Sequence, residues 1–267
     1  MIHAPPLAQR RQFYAAALRF AGLARRVSRR RIAAGFRTRL KRDASYVTDV
    51  DLAVERALRA AIARAFPTHG VLGEELPPTR PDAEYQWILD PIDGTTSLRN
   101  GIPFYGTIIA LHQGGRPLVG VIDLPALDRC YSAGVGLGAW RDGRRLRLRD
   151  AVRRDLPREV ISVGDRARFV QCRAGRGFDR LMREHAQVRG YIDCIAHAFA
   201  AEGLIGAAVD YGVKPWDIGA TQVLVEEAGG RYVCTYHSRG AEPRLYGIIC
   251  GKPSVVRWLE HRYFGGA

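Results

Sequence analysis

Apolar residues recur at intervals of three and four from about Leu7 to Arg37, where Phe13, Ala17, Phe20, Ala24 and Val27 fall on one side of a helix. The same spacing predicts a second helix from about Val50 to Ala65, anchored by Leu52, Leu58 and Ile62 and stopped by Pro67. Short apolar or alternating runs then predict strands at Gly70–Gly73, Trp87–Leu89, Thr107–His112 and Pro117–Asp123, the last two closed into a hairpin by Gly114-Gly115. Further strands are expected at Arg129–Ala133, at Gly138–Arg141 and, after the Asp142-Gly143 turn, at Leu146–Leu148. The second half mixes strands (Val160–Val163, Ala207–Val209, Arg231–Cys234) with helices at about Phe178–Glu184, Ile195–Glu202 and Asp217–Ala228, the last stopped by Gly229-Gly230. This order is α+β or layered α/β, without the regular alternation of a barrel. No repeat, low-complexity tract or linker divides it, so residues 1–267 read as a single domain.

Composition adds little to that picture and charge adds more. At 267 residues and 47% hydrophobic, the chain is long enough and apolar enough for a sizeable core. No stretch approaches the apolar length that spans a bilayer, and the start at Met1-Ile2-His3-Ala4-Pro5-Pro6 lacks the basic-then-apolar order of an export signal. The five cysteines are scattered and never spaced as a zinc pair; reduced thiols in a cytoplasmic protein are the plain expectation. The net charge is +14, and lysine supplies only Lys41, Lys214 and Lys252 of the 41 basic residues. Arg25, Arg26, Arg29, Arg30, Arg31, Arg37, Arg39, Lys41 and Arg42 are concentrated in one segment. Such a patch would attract RNA or another polyanion, with a solvated helix face as the plainer reading. A positive field would also draw in an anionic substrate.

Three acidic clusters carry the candidate chemistry: Glu74-Glu75, Asp90-Pro91-Ile92-Asp93-Gly94-Thr95-Thr96, and Trp216-Asp217. Asp90 follows a strongly apolar strand, so its carboxylate sits where that strand leaves the core. Pro91 fixes the turn, Gly94 lets the chain approach a ligand, and Asp93 returns toward Asp90. Two carboxylates held so close repel unless a proton or cation intervenes. A hard cation with oxygen ligands fits, Mg²⁺ best, because it accepts a few carboxylates and keeps places for phosphate and water. Gly94-Thr95-Thr96 is expected to open a short helix ending near Asn100-Gly101, with free N–H groups aimed at an anion. Tyr105, His112, His185 and His197 are assigned no catalytic role, since a lone histidine is more often a hydrogen-bonded structural residue.

Together these segments resemble the signatures of the inositol monophosphatase family. Leu72-Gly73-Glu74-Glu75, Asp90 to Thr96 and Trp216-Asp217-Ile218-Gly219-Ala220 match its three motifs, Val47-Thr48-Asp49-Val50-Asp51 adds a fourth element, and all stand in the family's order. The resemblance covers about residues 10 to 260. It implies a layered αβαβα sandwich of the inositol monophosphatase and fructose bisphosphatase type, with a metal and phosphate half at about 1–150 and a substrate half at about 151–267. It also implies homodimers, as in many members, and hydrolysis of a small phosphomonoester by water activated by two or three Mg²⁺ ions. By motif, Glu74, Asp90 and the Ile92 carbonyl would hold the first ion and Asp90, Asp93 and Asp217 the second. A third, weaker ion would use Glu74 through water. Asp51 would meet Thr95, whose hydroxyl orients the attacking water, so Thr95, Asp51 and Glu74 are the catalytic candidates. Asp93, Gly94 and Thr95 would face the phosphate. Glu75 is either a partner of the ligands or solvated.

The released alcohol is less defined. The stretches Asn100 to Thr107, Gly120 to Pro125, Lys214 to Asp217 and Arg189-Gly-Tyr-Ile-Asp193-Cys194 look most like the histidinol-phosphatase branch. Asp193 and Asp210 would contact the organic part of the substrate. Two positions depart from that branch: Ile192 replaces a glycine, and Thr96 stands where Lys or Arg is common. Histidinol phosphate and inositol monophosphate therefore both remain open. So do a broad-specificity sugar or nucleotide phosphatase and an RNA- or partner-binding regulator on the same scaffold.

Overall fold

The computed structural model describes residues 4–41, 45–238 and 243–265; Arg42 of the basic segment lies outside the described residues. Helix α1 runs Leu7–Ala33. Strand β1 (Thr38–Leu40) pairs antiparallel with β2 (Tyr46–Thr48), and α2 (Asp49–Ala65) follows. Thr48 caps α2: its hydroxyl accepts from the amides of Val50 and Asp51, and the Asp51 carboxylate takes the Thr48 amide in return at 2.9 Å. Next come β3 (Gly70–Gly73), β4 (Tyr85–Asp93), the short α3 (Thr95–Arg99), β5 (Gly106–Gln113), β6 (Arg116–Leu124), β7 (Arg129–Gly134), β8 (Gly138–Arg141) and β9 (Arg144–Arg145).

Strands β3 to β9 form one seven-stranded sheet in sequence order, antiparallel except where β3 runs parallel to β4. Alternation along β4 and β5 decides its two faces. Trp87, Leu89, Ile109 and Leu111 pack with Phe13, Phe20, Val54 and Leu58 of α1 and α2. Ile88, Ile108 and Ala110 pack on the opposite side. That side meets α6 (Asp193–Glu202) and α7 (Thr221–Glu227).

The second sheet begins after a 3₁₀ turn at Arg153–Arg158. It contains β10 (Ile161–Val163), β11 (Val188–Arg189), β12 (Ala207–Val213), β13 (Arg231–His237) and β14 (Tyr246–Gly251), in the order β11-β10-β12-β14-β13. Its inner face, with Ala208, Ile248 and Cys250, presses on α6 and α7. Its outer face, with Ile161, Val209 and Ile249, is covered by α4 (Arg166–Gln171), α5 (Gly175–Glu184), α8 (Pro253–Leu259) and a π-helical turn at Glu260–Phe264. The layers therefore run α, β, α, β, α, the sandwich expected from the motifs. No helix among the described residues is long and apolar enough to cross a membrane.

Several element limits differ from expectation. The first helix ends at Ala33, not near Arg37, and residues 38–40 pair with residues 46–48 as a separate two-stranded sheet. Leu146–Leu148 is not a strand; the chain pairs one step earlier, at Arg144–Arg145, because the tight turn at Asp142-Gly143 sets the register. Helix α7 starts at Thr221, leaving Asp217 to Ala220 as turns ahead of it. Strand β10 falls within the expected Val160–Val163, whereas β1, β2, β11 and β14 and the helices α4 and α8 were missed: β1, β2, β11 and α4 are too short for periodicity to register, and β14 is a continuous apolar run.

Candidate active site

Residues 90 and 93 are an odd number of steps apart, so a regular strand would send their side chains to opposite faces. A bulge prevents this. Asp90 pairs with Ile108 and Asp93 with Gly106, three steps on β4 against two on β5. Carboxylate oxygens of Asp90, Asp93 and Asp217 consequently lie within 4.8 Å of one another. Asp217 reaches this group from the turn before α7, where its Oδ2 accepts the Lys214 amide at 2.7 Å. Glu74, at the end of β3, lines the same cavity outside that tight group. The cavity, of about 320 Å³, also receives Gly94 and Thr95.

The carboxylates are buried and oppose one another. Burial first, then the charges of Glu74, Asp93 and Asp217, push Asp90 well above the ordinary carboxylate range. Asp93 is raised in the same way, by burial and then by Asp193 and Asp217. Asp217 is pushed up to about 7 by burial and the charge of Glu74. Asp90 is 1% exposed, and its Oδ1 has no hydrogen-bond partner among the described residues. An orphaned buried oxygen within a set of hard, mutually repelling oxygen donors fits a divalent cation. The donor set contains no nitrogen or sulfur that would favour a softer metal.

Asp51 and Thr95 meet as expected. The Thr95 hydroxyl lies 3.2 Å from Asp51 Oδ1 and 2.9 Å from the Ile92 carbonyl oxygen, and its one proton serves one of them at a time. Burial, assisted by Glu74, raises Asp51 to about 6 against the opposing hydrogen bonds from Thr48. Gly94 opens α3 at φ 84°, and a Cβ there would stand 2.6 Å from the Phe104 carbonyl oxygen, so only glycine fits.

Two features went unseen in the sequence. Glu55, fully buried on α2, accepts the amides of Glu75 at 2.8 Å and Leu76 at 3.2 Å, and is paired with Arg59 at 2.8 Å. The loop carrying Glu74 is thereby bolted to the helix that carries Asp51. A Cβ on Gly73 would lie 2.2 Å from Glu55 Oε1, so the close approach requires glycine. The only sequence signal was an acid on the apolar side of a helix. The second feature is Lys41, which donates to Glu74 at 2.9 Å and to Glu75 at 2.6 Å. Glu75 is therefore engaged rather than solvated, and burial with the charge of Glu74 raises it to about 7.

The far end of the cavity comes from the second sheet. Asp193 begins α6, and the next amide, that of Cys194, donates to Asp93 Oδ2, tying the two ends together. Asp193 is pushed up to about 6 by burial and by Asp210 on β12. Asp210 Oδ2 stands 3.6 Å from His197 Nε2, and His197 Nδ1 is 3.1 Å from the Thr221 hydroxyl. Arg168 also lines this end, with Nη1 on the Gly212 carbonyl at 3.0 Å. His112 and His185 instead bond backbone carbonyls at 2.8 Å, as structural histidines do. Of the four aromatic residues set aside in the sequence, His197 is the one that lines the cavity.

Comparison with known proteins agrees with this architecture. The sequence is 35% identical over 207 residues to the histidinol-phosphatase of Chlorobaculum parvum, covering 78% of each chain. It is 33% identical over 232 residues to the inositol-1-monophosphatase of Rhizobium meliloti, covering 83% of this chain and 84% of the relative. Its fold superposes on the extragenic suppressor protein suhB of Bartonella henselae with a TM-score of 0.82 at 27% identity, covering 95% of this chain and 98% of that one. The profile of the inositol monophosphatase family matches residues 9–262. The chain belongs to the inositol monophosphatase family and is a phosphatase.

Proposed function

We propose that this phosphatase is Mg²⁺-dependent and cytoplasmic, and that its substrate is histidinol phosphate. The observation that carries the choice of alcohol is the pair Asp193 and Asp210, which repel one another where α6 and β12 close the cavity beside Asp93. An ammonium group on the alcohol would offset that repulsion. Inositol monophosphate is the second reading, because the same carboxylates accept hydrogen bonds from hydroxyls and Arg168 beside them dilutes the negative field.

Two or three ions would be held by Glu74, Asp90, the Ile92 carbonyl, Asp93 and Asp217. Bound there, Mg²⁺ supplies neutralisation of the phosphate charge and makes water a nucleophile near neutral pH. Thr95 passes its hydroxyl proton toward Asp51, which leaves a lone pair on Oγ1 to accept from the attacking water and fix its direction. Glu74, half-buried and near enough for its charge to raise Asp51, completes the acceptor set around that water. Gly94 and Thr95 offer backbone amides to the phosphate, and Asp193 and Asp210 hold the alcohol.

Phosphate release from histidinol phosphate, inositol monophosphate, fructose bisphosphate and adenosine 3′,5′-bisphosphate, with Mg²⁺ titrated in each, tests the assignment. The expected order places histidinol phosphate first. Equal slow rates on all of them would replace the assignment with broad specificity. The homodimer implied by the motifs belongs to the same proposal, and sedimentation would read it as about twice the chain mass of 29.6 kDa.

A further inference from the structure

The basic segment beginning at Arg25 divides in two in the folded chain. Arg25 and Arg29 are committed to the end of β6. Arg25 grips Asp123 through Nη2 at 2.6 Å and Asp128 through Nη1 at 2.6 Å. Arg29 reaches Asp128 at 3.0 Å and the Pro125 carbonyl at 2.7 Å. These contacts dock α1 on the sheet and pair both guanidiniums with acids or a carbonyl, although Arg29 stays about half exposed.

Other arginines converge elsewhere. Arg30 and Arg31 from the end of α1, Arg39 from β1 and Arg56 from α2 line an open groove of about 890 Å³. Val27 and Leu52, both half-buried, contribute apolar surface to it. Its one acid, Asp49, already accepts the Arg37 amide at 3.3 Å. Among the described residues, none of the four guanidiniums is held by a hydrogen bond or an ion pair. The helix dipole accounts for Arg30 and Arg31 in the last turn of α1, but not for Arg39 or Arg56. The groove shares no lining residue with the phosphatase cavity.

We propose that this groove binds the phosphodiester backbone of a single-stranded nucleic acid. Guanidinium forks match phosphate oxygens in pairs, and four on three elements offer several phosphates at once. The space is too large for one phosphate and suits an extended chain. No aromatic side chain lines it, so bases are not stacked and the binding is indifferent to sequence. An acidic peptide would want a deep apolar or aromatic anchor pocket, and Val27 and Leu52 provide none.

Fluorescence anisotropy with labelled oligouridylate and oligodeoxythymidylate tests this, with a polyglutamate peptide as competitor. The variant Arg30→Ala/Arg56→Ala is compared with Arg154→Ala/Arg158→Ala, which removes the same charge from residues 89% and 86% exposed on the 3₁₀ turn. The groove variant is expected to bind at least about 10-fold more weakly, with the slope of log K against log salt reduced by about 1.4 for two lost contacts to a single strand. The control pair should lose less than about 2-fold, and ribose and deoxyribose probes should bind alike. Unchanged phosphate release shows that each variant is folded, and Arg39→Gln gives the same reading from a different element should the double variant fail to fold. Equal loss in both double variants, no binding of either oligonucleotide at about 0.1 M salt, or polyglutamate competing as well as an oligonucleotide would overturn the proposal.

Discussion

The two ends of the candidate catalytic cavity are built on different principles. At one end Asp90, Asp93 and Asp217 are of one charge sign and one chemistry, so close that they oppose their own ionisation. At the other, Asp193 and Asp210 share a wall with His197 and Arg168, and the charges are mixed. A one-sign cluster specifies what must come to it, namely a hard cation and then a phosphate. A mixed wall is compatible with several alcohols. Under the proposed function, reaction class is thus concentrated at the first end and substrate choice at the second.

The sharpest way to break this contrast is Asp93→Asn. If the first end sets the chemistry, Mg²⁺-dependent phosphate release should fall by about three orders of magnitude on every substrate, the scale for removing a group that stabilises transition-state charge. Retained turnover would sink the assignment. The next effect tests how the first end is held. Glu55→Gln weakens the clamp on the Glu75 and Leu76 amides and should cost about 10- to 100-fold in Mg²⁺ affinity, read by calorimetric titration. An unchanged affinity with lowered stability would reduce Glu55 to a packing role.

The second end should respond differently. Asp210→Asn is expected to raise KM for histidinol phosphate by about 10-fold, the scale of one charge-assisted contact, and to leave kcat nearly unchanged. A fall in kcat on all substrates alike would erase the distinction between the ends.

The smallest effect is a pH dependence. Asp51 and Asp193 are raised to about 6 and Asp217 to about 7, from an ordinary value of 3.8. Groups raised in the folded state contribute stability at low pH and lose it as pH climbs through the raised values. The metal-free chain should therefore lose stability between about pH 4 and 7. Mg²⁺ competes with the same protons, so its stabilising effect should grow over that window. Thermal melts at the two ends of the range, with and without Mg²⁺, would show a difference of about 4 °C in Tm for each tenfold gain in affinity. Equal stabilisation at both would mean that these carboxylates do not face the metal.

The legibility of the two ends differed for a local reason. Asp90 to Thr96 is one contiguous stretch, and its apolar approach, proline and glycine announce a turn with two acids. Asp217 carries its own neighbouring motif. Asp51 and Thr95 lie far apart in sequence, yet their meeting at 3.2 Å was expected from the family resemblance. Glu55 was not foreseen: an acid on a helix side gives no sign of which backbone amides it will reach. His197 was set aside for the same reason, since only the packing of α6 against β12 and α7 puts its ring between Asp210 and Thr221.

The reaction class and the long elements were legible from the residues alone, because motifs and periodicity are local properties of the chain. Which charges are free and which are consumed depended instead on the packed fold. Arg25 and Arg30 are equivalent in the sequence, but folding buries Asp123 within reach of one and leaves the other facing an open groove. Local pattern fixes what a residue can do, while the partner that neutralises it comes from distant strands and helices whose juxtaposition depends on the packing of all five layers.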